Sequence, residues 1–145
     1  MSDRHPRSRL DFFRGAWTIK GQEATYSEVC EWLPGNGFLA CNAQDRSESP
    51  PAFSLSVFGY SEADAQYTYS GFAGSGAQRS LQGSIEDGVW RFRGELARGP
   101  GRRRWQVTIT PTAQGFRFRE EASERSGPWR ESVVLEYVRV PEAGG

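Results

Sequence analysis

Apolar and polar residues alternate along most of this chain. "VWRFRGEL" sets Trp90, Phe92 and Leu96 on one face and Arg91, Arg93 and Glu95 on the other. "RWQVTIT" sets Trp105, Val107 and Ile109 against Gln106, Thr108 and Thr110, and "GFRFRE" sets Phe116 and Phe118 against Arg117 and Arg119. A period of two residues is the signature of an antiparallel strand with one dry and one wet face. The pattern therefore predicts an all-β domain.

Turn residues cut the alternating chain into about ten short strands, the rhythm of a barrel or sandwich. Breaks are expected at Glu23-Ala24, Gly35-Asn36, Ser49 to Pro51, Ser61 to Ala65, Ala73 to Gly76, Gly99 to Gly101, Ala113 to Gly115 and Arg125 to Pro128. Asp87-Gly88 suits a type I′ hairpin, which sets Ile85 opposite Trp90 and Gly83 opposite Phe92. A loop over 61–66 sets Tyr60 opposite Tyr67 and Phe58 opposite Tyr69. Only "RSRLDFFR", residues 7–14, reads as helical, ended by Gly15. The tails before Arg7 and after Val140 are expected to be loose.

At 145 residues the chain makes one domain, 1–145 with its core over about 9–139. Its 18 basic residues balance 18 acidic ones, so no global field draws in nucleic acid or an anionic membrane. The arginines of "GPGRRRW" then read as a soluble hairpin tip. No apolar run reaches the roughly 18 residues of a transmembrane helix, and the N-terminus lacks a signal-peptide core. These features predict a cytoplasmic protein.

Both cysteines lie in "CEWLPGNGFLAC". A two-residue loop at Gly35-Asn36 puts Cys30 directly opposite Cys41, in the wider, hydrogen-bonded class of cross-strand pair. A disulfide needs a closer approach, and cytoplasmic thiols stay reduced, so two free thiols are expected. Zinc wants four ligands, whereas the chain offers two cysteines and the distant His5. No metal and no cofactor is expected.

Several stretches together resemble the uncharacterised bacterial family DUF1579. They are "LDFFRGAW", "EWLPGNGFL", "FGYSEADAQYTYSGFAGSG", "GVWRFRGE", "GFRFREEAS" and "PWRESVVLEYVR", in that order over residues 9–139. The resemblance implies a lipocalin-like (calycin) fold: an up-and-down antiparallel β-barrel with the N-terminal turn plugging one end. His5-Pro6, Leu10 and "GAW" are also similar to nitrobindin-like haem barrels. Those hold haem through a histidine near the C-terminal strands, and residues 115–140 contain none.

A barrel of this size is filled by side chains or keeps room for one small ligand. The rings exceed what a simple core requires, so Trp17, Trp32, Phe58, Tyr69, Trp90, Phe92, Trp105 and Phe118 are candidate lumen walls. Arg103 and Glu120 are candidate polar anchors. The expected function is binding of one small apolar or aromatic molecule without catalysis, by a monomer or homodimer. Two alternatives stand beside it. A loop over 124–127 sets Glu120 opposite Glu131, and such a carboxylate pair suits an isomerase or hydrolase. A filled barrel instead serves as an interaction module, for which Val134 and Val138 hint at an outer apolar face. Serine–histidine catalysis has only His5 to draw on, in a tail that preorganises nothing.

Overall fold

A computed structural model describes residues 5–98, 101–124 and 127–141 of the chain as a closed antiparallel barrel of ten strands. The strands are β1 (Gly15–Ile19), β2 (Tyr26–Trp32), β3 (Leu39–Asp45), β4 (Ala52–Ser61) and β5 (Gln66–Ala73). They continue as β6 (Gln78–Glu86), β7 (Val89–Arg98), β8 (Gly101–Pro111), β9 (Gly115–Glu124) and β10 (Arg130–Arg139). Each pairs with its neighbours in sequence, and β1 closes onto β10 with Trp17 opposite Arg139 and Ile19 opposite Tyr137. Closure leaves no strand edge to recruit another chain.

The expected hairpins form. Asp87 and Gly88 both take positive φ, 53° and 78°, as a type I′ turn requires, and Ile85 faces Trp90 while Gly83 faces Phe92. Tyr60 faces Tyr67 and Phe58 faces Tyr69, with ring centroids 4.9 and 4.8 Å apart. Residues 99 and 100 of the Gly99 to Gly101 turn lie outside the described residues, as do 125 and 126 of the loop before β10.

The helical stretch is a 3₁₀ helix, Pro6–Phe13, that plugs one end of the barrel. Leu10 and Phe13 are fully buried, and Phe13 stacks on Phe58 at 4.4 Å. The Trp17 indole donates to the Phe13 carbonyl at 2.8 Å, and the Tyr67 hydroxyl to the Pro6 carbonyl at 2.6 Å. Arg139 lies over the Trp17 ring and donates to the carbonyls of Phe12 and Arg14. The expectation of a loose segment before Arg7 is corrected at His5. Its Nδ1 accepts from the Arg7 N–H at 3.0 Å, and its Nε2 meets the Glu62 carboxylate at 2.9 Å. A helix cap and a cross-loop hydrogen bond to Glu62 thus hold it in place.

The free-thiol expectation is also corrected: Cys30 and Cys41 form a disulfide, with Cα atoms 3.9 Å apart. They are partners across β2 and β3, as foreseen, but the loop between them is longer. Four residues, 34–37, turn the chain, and the closing bond runs from the Leu33 N–H to the Phe38 carbonyl at 2.9 Å. Counting inward from that bond puts the cysteines in the narrow, non-hydrogen-bonded class. Moving the closing pair by one residue reversed the phase.

Candidate functional site

Register explains why this barrel is not full. Around one level, Gly15, Cys30, Cys41, Ser56 and Gly71 are successive cross-strand partners. One level further from the plug, Glu28, Ala43, Ser54 and Ala73 follow each other. Small side chains over half the circumference cannot reach the opposite wall. A cavity of about 140 Å³ remains.

The cavity is lined by both rings and polar groups. Its apolar lining is Phe13, Trp17, Phe58, Ile109, Phe116 and Phe118. Its other lining residues are Tyr26, Glu28, Tyr137, Tyr69, Ser54, Ser56 and the Cys30–Cys41 disulfide. Ser54 is exposed, which marks the side where the lumen meets solvent.

Glu28 is the one ionisable carboxyl on this wall. Tyr26 donates to its Oε1 at 2.6 Å, and Tyr137 stands 3.5 Å from the Tyr26 hydroxyl. Burial raises the Glu28 pKa, with only the Tyr26 hydrogen bond pulling it down. The phenols shift with it. Burial first, and then the Glu28 charge, push Tyr26 and Tyr137 above the ordinary range; Tyr69 rises chiefly through burial. The polar lining is therefore a set of neutral hydrogen-bond donors around one acid.

Four of the predicted wall residues line the cavity: Trp17, Phe58, Tyr69 and Phe118. Trp90 and Phe92 are buried in the filled half, where Trp90 meets Phe13 at 5.1 Å and Tyr67 at 4.9 Å. Trp32 instead latches the plug, its indole donating to Asp11 Oδ1 at 2.8 Å. Trp105 lies between two guanidinium groups, Arg79 at 5.7 Å and Arg103 at 5.4 Å. Arg103 is exposed there and is not a lumen anchor.

Glu120 and Glu131 do not face each other, which overturns the geometry of the carboxylate pair. A bulge at Ser132 puts Glu120 opposite Val133 and Glu131 opposite Glu121. The extra residue turns Glu131 outward to Arg119 at 3.1 Å. Glu120 pairs with Arg79 at 2.5 Å and accepts from Ser132 at 2.9 Å.

Tyr26, Glu28, Tyr137, Ser54, Ser56 and the disulfide were not anticipated as lumen residues. "YSEVCEW" did carry a signal, since its alternation puts Tyr26, Glu28, Cys30 and Trp32 on one face. Its outer position Val29 is apolar and 45% exposed, so the usual reading of the apolar face as the inner one is blurred. Glu28, Cys30 and Cys41 bring possible metal-ligating atoms within 4.8 Å of one another. The disulfide removes both thiolates from such a set, leaving one carboxylate as its ligand.

The chain matches no protein-family model and no curated protein. Among the described residues, no helix is long and apolar enough to cross a membrane.

Proposed function

We propose that the protein binds one small, mostly aromatic molecule in the barrel lumen and performs no chemistry on it. The observation that carries this reading is a cavity lined both by rings and by hydroxyl and carboxyl groups. Its volume is close to that of an engineered apolar cavity of about 150 Å³ that takes up benzene. A single substituted ring fits that scale, its polar substituent toward Tyr26, Glu28 and Tyr137. The resemblance to the DUF1579 barrels is retained within this proposal and adds no ligand to it. The Cys30–Cys41 disulfide fits an oxidising compartment better than the cytoplasm expected from the sequence.

Native mass spectrometry of the protein from its own host, set against the denatured mass, tests this reading. A retained small molecule supports it and gives the ligand class. A bare protein that also takes up no small aromatic added in solution overturns it.

A second reading, self-association through the outer face, has one observation in its favour. Val29, Leu55 and Phe72 fall in one cross-strand row with only Asn42 between, and Phe53 beside them is 58% exposed. Sedimentation of wild type and Phe53→Glu distinguishes a dimer built on that row from a monomer.

A further inference from the structure

We infer that the ligand carries a protonated amine, and that the lumen is a site for a small organic ammonium whose charge pairs with Glu28. The inference rests on the lumen-binding reading and specifies its chemistry.

A carboxyl group held largely out of water, as Glu28 is, is costly to ionise unless something compensates the charge. Glu28 has one hydrogen bond from a neutral phenol and a distant contact, 3.9 Å, with the Cys30 sulfur. The groups facing it from neighbouring strands carry no positive charge: the disulfide from β3, Ser54 and Ser56 from β4, Tyr69 from β5 and Tyr137 from β10. Arg79, whose charge is felt at Tyr69, is already engaged by Glu120. The lumen thus holds an acid without a base.

The remaining walls suit a cation as well. Tyr69, Phe58, Phe118, Phe116 and Trp17 surround the space with ring faces and edges, the setting in which ammonium groups are held by cation–π attraction. A neutral ligand gains from the rings but gives Glu28 nothing to pair with, and an anionic one binds only while Glu28 keeps its proton. An ammonium uses both features. Its entry ionises Glu28, so the carboxyl proton leaves to solvent as the N–H donors take its place. Binding must therefore release protons at pH values where the empty site still holds one.

Benzylamine and its neutral analogue benzyl alcohol serve as probes, titrated calorimetrically into the disulfide-intact protein in two buffers of different ionisation enthalpy. The expected result is at least tenfold tighter binding of benzylamine than of benzyl alcohol, with a proton release that grows as the pH is lowered from neutral. Glu28→Gln should weaken benzylamine at least tenfold while keeping the near-ultraviolet circular dichroism of the wild type, which shows that the variant barrel is folded with its rings packed. Benzyl alcohol binding as tightly as benzylamine, or benzylamine indifferent to Glu28→Gln, overturns the ammonium assignment and leaves the lumen reading standing. Binding of neither probe overturns both.

Discussion

The Tyr26 hydroxyl donates a 2.6 Å hydrogen bond to Glu28, two residues further along the same face of β2. The carboxyl that receives it is enclosed by rings and sulfur, and its pKa lies above the ordinary value.

A raised carboxyl pKa makes stability depend on pH in a definite direction. Below the unfolded value, about 4.3, both states hold the proton and Glu28 imposes no penalty. As pH rises from there to the folded pKa, the unfolded chain releases its proton first and stability falls; above it the loss is complete. Glu23, Asp45 and Glu62, whose pKa values are lowered, act in the opposite sense. Subtracting the urea-unfolding profile of Glu28→Gln from that of wild type isolates the Glu28 contribution. The difference should turn against wild type between acid and neutral pH, and a difference in its favour would refute the assignment.

The Cys30–Cys41 disulfide closes a short loop, eleven residues apart in sequence. Chain-entropy reasoning gives about 3 kcal/mol for such a closure. Denatured protein should react with no alkylating agent until a reductant is added. The Cys30→Ser, Cys41→Ser double variant should lose about 2–4 kcal/mol in denaturant unfolding.

Gly83 and Gly71 should respond oppositely to the same added methyl group. A Cβ at Gly83 would lie 1.7 Å from the Arg91 carbonyl oxygen, where β6 crosses close over β7. Neither backbone can yield without opening the ladder, so Gly83→Ala should cost about 3 kcal/mol or more. A Cβ at Gly71 meets nothing within 4 Å. Gly71→Ala should be neutral or stabilising by up to about 1 kcal/mol. Thermal unfolding of the two variants checks both.

Two arginine–glutamate pairs offer a further contrast. Arg79 and Glu120 are 25% and 15% exposed, whereas Arg119 and Glu131 are 47% and 53% exposed. Water screens the second pair, and a double-mutant cycle there should give about 0.2–1 kcal/mol of coupling. The Arg79–Glu120 cycle should give more, about 1.5–3 kcal/mol, as expected of a charged hydrogen bond away from solvent. Equal couplings would contradict the burial of Glu120.

Much of the barrel was legible in the chain because its information is local. The alternation of Trp90, Phe92, Val107 and Ile109 against polar neighbours assigns faces within one strand. Asp87-Gly88 sets a register across two. From these alone, Phe58 falls opposite Tyr69 and Ile85 opposite Trp90, as the fold has them. The lumen placement of Trp17, Phe58, Tyr69 and Phe118 follows from the same phases.

What the tertiary structure decided are the points where a period of two is silent. Alternation says which face a residue takes, but not the phase of the hydrogen-bond ladder. Moving the closing pair outward by one residue, which lengthens the loop from two residues to four, therefore separated a wide pair of thiols from a disulfide. Nor does it foresee a bulge, and Ser132 alone parted Glu120 from Glu131. Glu28 sits on an ordinary strand position and becomes a half-buried acid only when β1 closes onto β10 and brings Tyr137 beside Tyr26, 111 residues away in sequence. Desolvation belongs to the closed barrel, because it depends on what every other strand places around the group.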